Sequence, residues 1–463
     1  MSAPTRYRRL RPPRQPTVAP KGTQPSPPST AASFETIGGR PVSVFSISPT
    51  TGAGSLTPRD SDTIVAASRA ALRYRVPLVG YVGSGGVDLA TGIDGLHAWG
   101  RLARAVTECS GLVPVVMVVD GPAVSGPAMV LGLADVVVMT DPSYAFVSGP
   151  AMVRQLTGVR VEASGLGGAH IHARRTGLAA IEAPDRVAAS EAVEELLSYL
   201  PANSDEAPPI LASDDPTDRS CPELDDVVPS SPTGSYDVRA VLRAVVDEGE
   251  LLELRPRWAN QMVTALGRIG GQPVGLLANQ PQALAGTLDI PASHKGARFV
   301  AFCDAFGLPI ITFIDTPGFL PGKDLEWRGM IRHGAQLAFT YAEATVPRIS
   351  VILRKAYGGA YIVMDSKRMG SDLCLAWPSA EVAVMGAKGA VQILHRGLSP
   401  EEAAAREADY EESYLNPWIA AERGLLDAVI EPADTRRVLA QGLDQVVAKR
   451  ENVGRRKHSN IPL

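Results

Sequence analysis

The sequence predicts an α/β protein in which one fold is used twice. Three observations carry that expectation: the two halves resemble each other segment by segment, each alternates short apolar runs with amphipathic helical patterns, and an acidic, proline-dense stretch separates them. "VPLVGYVGSGG" at 76 to 86 aligns with "LPIITFIDTPG" at 308 to 318 without a gap. Self-similarity of this kind marks repeated structural units. "GLHAWGRLARAVTECSGLVPVVMVV" then parallels "GMIRHGAQLAFTYAEATVPRISVIL", each a helical pattern leading through a proline into a β-branched strand. Pro114 to Gly126 spans twelve residues, and Pro347 to Gly359 also spans twelve. "ADVVVMTDPSYAFVSGP" and "SDLCLAWPSAEVAVMGA" each read strand, turn, strand. Short apolar strands between helices argue for largely buried sheets.

A chain of 463 residues exceeds one ordinary core and fits two domains with tails. Residues 1–33 are rich in Pro, Ser and Arg, with no acid before Glu35, and are expected to be a disordered tail. They lack the apolar stretch of a secretory signal. Residues 34–200 form the first expected domain, 201–235 an acidic linker lying on the surface, and 236–463 the second domain. A net charge of −4 provides no basic field for nucleic acid, and no apolar run offers a membrane span. Cys109, Cys221, Cys303 and Cys374 are scattered, which argues against a disulfide framework or zinc ribbon and fits the cytoplasm.

Each repeat carries a glycine-bearing turn where a strand hands over to a helix. In "RKAYGGAYIVMDSK", Gly358 and Gly359 let something approach the main chain closely, because no Cβ stands in the way. The first amides of a helix have no internal partners, so such a turn can hold an oxyanion. Taken alone, a glycine pair there more often reflects close packing of helix on strand. Its duplication at matched spacing favours a site.

The stretches "SHKGARFVAFCDAFGLPIITFIDTPGFLPG", "EWRGMIRHGAQLAFTYAEATVPRISVILRKAYGGAYIVMDSK", "AWPSAEVAVMGAKGAV" and "KHSNIPL" resemble the carboxyltransferase (β) subunits of biotin-dependent acyl-CoA carboxylases, particularly the actinobacterial acetyl/propionyl-CoA type. "FVSGPAMVRQLTG" and "LGGAHIHARRTG" extend the likeness to the first half, so that it covers most of residues 76–463. The resemblance implies two tandem crotonase-like domains, the first facing acyl-CoA and the second facing biotin. It implies a homo-oligomer, a hexamer built from dimers, with sites formed between the first half of one subunit and the second half of another. The partner is a biotin carboxylase/biotin carboxyl carrier subunit. Carboxybiotin on that carrier and a CoA thioester are the reactants, giving malonyl-CoA from acetyl-CoA or methylmalonyl-CoA from propionyl-CoA. Position and electrostatics replace a side-chain base, in line with the missing Ser/His/Asp constellation.

Carried over by position, the amides of Gly359 and Ala360 hold the biotin ureido oxygen, and those of Ser125 and Gly126 hold the thioester oxygen as an enolate forms. Gly358, Tyr361, Ile362, Gly85 and Gly86 are the implied substrate-binding neighbours. The first half departs from the family pattern. Ser125 stands for a glycine, and Pro127 has no N–H, so a hole that needs residue 127 does not survive. Val87, Asp88 and Thr91 occupy the places of an Ala-Arg pair and a Glu, and Asp88 would disfavour a CoA phosphate if its side chain points there.

The remaining candidates weigh less. His170 and His172 lack further metal ligands at familiar spacing, and a structural hydrogen-bonding role is expected for His172. Lys295 is expected either on a solvated helix face or against a carboxylate, and Asp315 in a turn. "GSGGVD" lacks the last glycine of a dinucleotide fingerprint. Two alternatives stay open: a malonyl-type decarboxylase or transcarboxylase, and a weakened paralogue acting as a structural subunit.

Overall fold

Val- and Ile-rich runs separated by helices favour parallel strands buried on both faces, and the chain builds two such sheets. The computed structural model describes residues 28–229, 231, 233–449, 451, 454 and 458–462. The first sheet has seven strands, ordered Thr30–Ile37, Arg40–Ile47, Leu78–Ser84, Val115–Val124, Val136–Thr140 and Ile181–Ala183, with Tyr144–Phe146 also paired to Val115–Val124. The second has eight, ordered Leu252–Glu253, Met262–Ile269, Gln272–Asn279, Ile310–Thr316, Arg348–Tyr357, Leu373–Ala376 and Ala428–Val429, with Glu381–Ala383 also paired to Arg348–Tyr357. In each, an antiparallel hairpin leads into parallel pairing.

The two sheets share an irregularity as well as an order. Pairing is regular from Leu78↔Val115 to Val82↔Val119 and resumes at Ser84↔Ala123; likewise it is regular from Ile310↔Arg348 to Ile314↔Ile352 and resumes at Thr316↔Ala356. A step of two residues on one strand therefore meets a step of four on its neighbour. Bulges of this kind bend a strand and re-aim the residues beyond the bend. Past the bulge, Val115–Val124 exchanges Val136–Thr140 for Tyr144–Phe146, and Arg348–Tyr357 exchanges Leu373–Ala376 for Glu381–Ala383.

The halves share a core. Helix Arg186–Tyr199 of the first half buries Val193, Leu196 and Leu197 in the same cluster as Phe299, Val300 and Phe302 of helix Ile290–Ala305. The Arg255 N–H donates to Ala180 O at 2.8 Å, its side chain to Gly177 O at 2.7 Å, and the Arg298 guanidinium to Ala134 O at 2.9 Å. Lys295 is not on a solvated helix face. Its helix is buried on both flanks, and Nζ donates to Arg255 O at 2.8 Å and Trp258 O at 3.0 Å, with burial pushing its pKa down to about 7.

Two expected boundaries change. Residues 1–27 of the expected tail lie outside the described residues, but a strand begins at Thr30, inside the tail's assigned range. The cause is the buried carboxylate of Asp60: one oxygen accepts from Ser29 N at 2.9 Å, Thr30 N at 3.2 Å and Thr30 Oγ1 at 2.9 Å, while the other accepts from Thr57 to close the capping box of helix Pro58–Tyr74. Composition cannot show a distant carboxylate. Nor is the 201–235 segment a loose linker. Asn203, Cys221 and Leu224 are buried, and Arg436, wholly buried, donates to Pro216 O, Asp215 O and the Asp247 carboxylate. It is a strap pinned to the second half.

Removing the Asp60 carboxylate unpartners buried amides and a helix cap, so Asp60→Ala is expected to cost about 2–4 kcal/mol, read from the urea midpoint, with faster amide exchange in Thr30–Ile37. Burial pushes the Asp60 pKa up, but its hydrogen bonds from Thr57, Thr30 and Ser29 prevail and hold it below the usual carboxylate value. Its folded pKa is thus the lower one, and its contribution is present above the unfolded value and lost as pH falls through the folded one. The urea midpoint of the native protein should therefore fall on acidification more steeply than that of Asp60→Ala.

Candidate functional site

In the second half, the site starts from how strand Arg348–Tyr357 is held. Asp315, buried at the end of the adjacent strand, accepts from Tyr236 Oη at 2.9 Å, Arg354 Nη2 at 3.1 Å and Lys355 N at 3.1 Å. It is the hub of a buried ion pair rather than a turn residue; the Thr316 hydroxyl meets the Gly318 amide of that turn. Tyr357 donates its hydroxyl to the Glu381 carboxylate, tying the strand's last residue to its new neighbour. The chain then turns through Gly358 at φ 57 into the short helix Gly358–Val363. A Cβ on Gly358 would lie 3.0 Å from Val384 O, in a backbone conformation that side chains rarely adopt.

The amides of Gly359 and Ala360 follow this turn and donate to no other group among the described residues. Beside them opens a largely apolar cavity of about 440 Å³, lined by Phe319, Met330, Ile331, Gly334, Gly359 and Ile362 among others, with Glu326 at its edge. Gly334 and Gly359 leave room there: a Cβ at Gly334 would come within 3.2 Å of the Phe319 ring, and one at Gly359 within 3.7 Å. Ile362 is exposed and lines this cavity. Tyr361 is not; its ring is buried in the shared core, because helical geometry turns consecutive side chains to different faces. Phe319, Met330 and Ile331 were missed. Phe319 lies within "TPGFLPG", whose turn signal drew attention to the backbone, and Met330 and Ile331 read as ordinary helical residues.

The first half repeats the turn with different chemistry. Ser125 occupies the place of Gly358, at φ 61 against 57 and directly after the last paired strand residue, and Gly126 follows it as Gly359 follows Gly358. The structural equivalents of Gly359 and Ala360 are therefore Gly126 and Pro127. Ser125 cannot offer its amide, which donates to Phe146 O at 2.9 Å, and this corrects the expectation placed on it. The Gly126 amide is without a partner among the described residues. Trp99 packs so closely that a Cβ on Gly126 would lie 2.5 Å from its ring, and the Trp99 indole nitrogen is buried with no partner among the described residues.

Gly86 adjoins this turn, with Ser125 Cβ 4.0 Å from where its own Cβ would stand. Both glycine amides nearby are engaged: Gly85 N donates to Ala53 O at 2.8 Å and Gly86 N to Ser84 Oγ at 3.2 Å. The amides of Gly85 and Gly86 are thus not free to donate elsewhere. Asp88 uses its carboxylate locally, capping its own turn at Ala90 N at 2.9 Å. His172 Nε2 donates to Ala145 O at 2.8 Å, leaving Nδ1 to accept from Thr176 Oγ1 at 2.8 Å, so it props the strand beside the turn. Among the described residues no group of His, Cys, Asp or Glu could hold a metal ion, and no helix is long and apolar enough to cross a membrane.

Residues 22–461 match the carboxyl transferase domain family. The chain is 42% identical over 95% of its length to a propionyl-CoA carboxylase beta chain of Roseobacter denitrificans, covering 87% of that protein. It is 44% identical over 92% of its length to one of Saccharopolyspora erythraea, covering 82% of it. Its fold is similar to a transcarboxylase 12S structure with methylmalonyl-CoA bound, with a TM-score of 0.92 and 40% identity, covering 94% of this chain and 85% of that one.

Removing the Asp315 carboxylate would leave Arg354 buried without its counter-charge. Asp315→Ala is therefore expected to lose about 3–5 kcal/mol of stability, checked by chemical denaturation, whereas Asp315→Asn keeps an acceptor and should lose less.

Proposed function

The chain belongs to the carboxyl transferase family, and on that premise we propose how its two glycine-type turns divide the transfer of a carboxyl group to a short acyl-CoA. It is the carboxyltransferase component of a biotin-dependent acyl-CoA carboxylase. The observation that carries the division is the pair of unpartnered amides, Gly359 and Ala360, at the rim of an apolar cavity. Carboxybiotin, brought on a carrier protein, supplies carbon dioxide and a ureido nitrogen that takes the acyl α-proton. The cavity suits a flat ring of that kind: apolar walls at Phe319, Met330 and Ile331, the floor cleared by Gly334, and two N–H groups for one ureido oxygen.

Those amides stabilise charge that grows on the ureido oxygen as the carboxyl group departs, with no reorganisation needed because the strand beneath them is fixed. The first-half turn, with its free Gly126 amide, faces the thioester oxygen. The 440 Å³ cavity is lined by second-half residues alone. We assign the facing half to another subunit in a homo-oligomer, and a hexamer is the proposed assembly. Exposed apolar side chains on both turns support this: Ile331, Trp327 and Val384 around the second, Leu89, Met129 and Val147 around the first. Ile362, 43% exposed, suits acetyl- or propionyl-CoA, although one methylene discriminates by only about 1–3 kcal/mol. The four free, buried thiols support a reducing compartment such as the cytoplasm.

One observation favours the competing reading of a structural paralogue: the first turn has a single free amide where the second has two. Carboxyl transfer from a carboxylated carrier to acetyl- or propionyl-CoA by the isolated protein would exclude that reading, and a strong preference for long-chain acyl-CoA in kcat/KM would overturn the substrate assignment. Ala360→Pro deletes one donor at a place where the first half already accommodates Pro127. It should fold normally and lower kcat by about 100-fold, with little change in KM for acyl-CoA.

A further inference from the structure

The first turn is short of donors. Ser125 N is bonded to Phe146 O at 2.9 Å, Pro127 has no N–H, and only the Gly126 amide is left to meet a thioester oxygen. Yet the same turn retains a polar side chain under strain. Ser125 sits at φ 61, where its counterpart is Gly358 and where a side chain other than glycine is costly. Its side chain is exposed beside Gly86, and its hydroxyl has no hydrogen-bond partner among the described residues. Strain held at a loop position without a local bond to offset it is a sign of function.

We propose that the Ser125 hydroxyl is a catalytic donor, replacing the amide that Pro127 lacks. The inference rests on the first turn facing the thioester. In the step it serves, the acyl α-C–H bond breaks and its proton passes to the ureido nitrogen. The bonding pair forms the C=C bond, and the carbonyl π pair moves onto the thioester oxygen. Ser125 Oγ–H donates to that oxygen beside the Gly126 N–H and keeps its proton throughout. The oxyanion is thus met by one backbone and one side-chain group, where the second turn uses two backbone groups.

The test uses the full-length protein with its carboxylated carrier. Ser125→Gly removes the hydroxyl and relieves the backbone, so thermal stability should be kept or raised while kcat falls about 100-fold and KM for acyl-CoA moves less than about threefold. Ser125→Ala should fall equally. Adding Pro127→Ala to Ser125→Gly restores a backbone donor and should recover most of the rate. As a readout apart from turnover, a CoA thioether bearing a nitronate at the enolate position should bind Ser125→Gly at least tenfold more weakly than the native protein, and propionyl-CoA equally well. Ser125→Gly with native kcat and native nitronate affinity overturns the inference while leaving the activity intact. A native protein that carboxylates no acyl-CoA overturns the functional reading itself, and the inference falls with it.

Discussion

Both turns depend on a parallel strand that changes neighbours halfway along its length. A strand cannot keep one register and hydrogen-bond to two partners in succession without a bend, and the bend appears as the step of two against four residues before Ser84–Ala123 and Thr316–Ala356. The strand end beyond it leaves the regular ladder and enters a left-handed residue, Ser125 or Gly358. The residues after that point have amides with no carbonyl to reach. The site is therefore a by-product of sheet geometry, created wherever this crossover is built and available for whatever side chains surround it.

The halves hold the same geometry by different means. In the second, Asp315 secures Arg354 and Lys355, and Glu381 secures Tyr357, so that the last residues before the glycines are bound on two sides. In the first, the turn is held by packing and uncharged hydrogen bonds: Trp99 lies on Gly126, Gly85 N donates to Ala53 O, and His172 supports the strand at Ala145. Charge-assisted hydrogen bonds are stronger than neutral ones. The second turn presents two amides; the first presents one, because Pro127 has no N–H, beside a strained serine.

A good part of this was legible in the sequence, for identifiable reasons. The duplication, the strand-to-helix placement of Gly358–Gly359 and its repeat twelve residues after a proline are local regularities, and local regularities are written in order along the chain. Ser125 and Tyr361 show the limit. Whether an amide is free depends on a carbonyl from another strand, Phe146, and whether a ring lines a cavity depends on how six residues of helix are rotated against the core. Lys295 and the strap at 201–235 misled for the same reason: charged and proline-rich residues look solvated until a distant buried partner, such as Trp258 O or Arg436, is brought against them.

The sequence by itself determined that one α/β unit is used twice, that glycines stand where main chain must be approached, and that residue 127 has no N–H. Those are properties of residue type and spacing, and no fold can change them. Only the tertiary structure decided which amides are spent: Ser125 on Phe146, Gly85 on Ala53, with Gly126, Gly359 and Ala360 left over. A hydrogen-bond donor serves a ligand only if no neighbour has claimed it, and the neighbours are set by strand order and register, which lie across the chain and not along it.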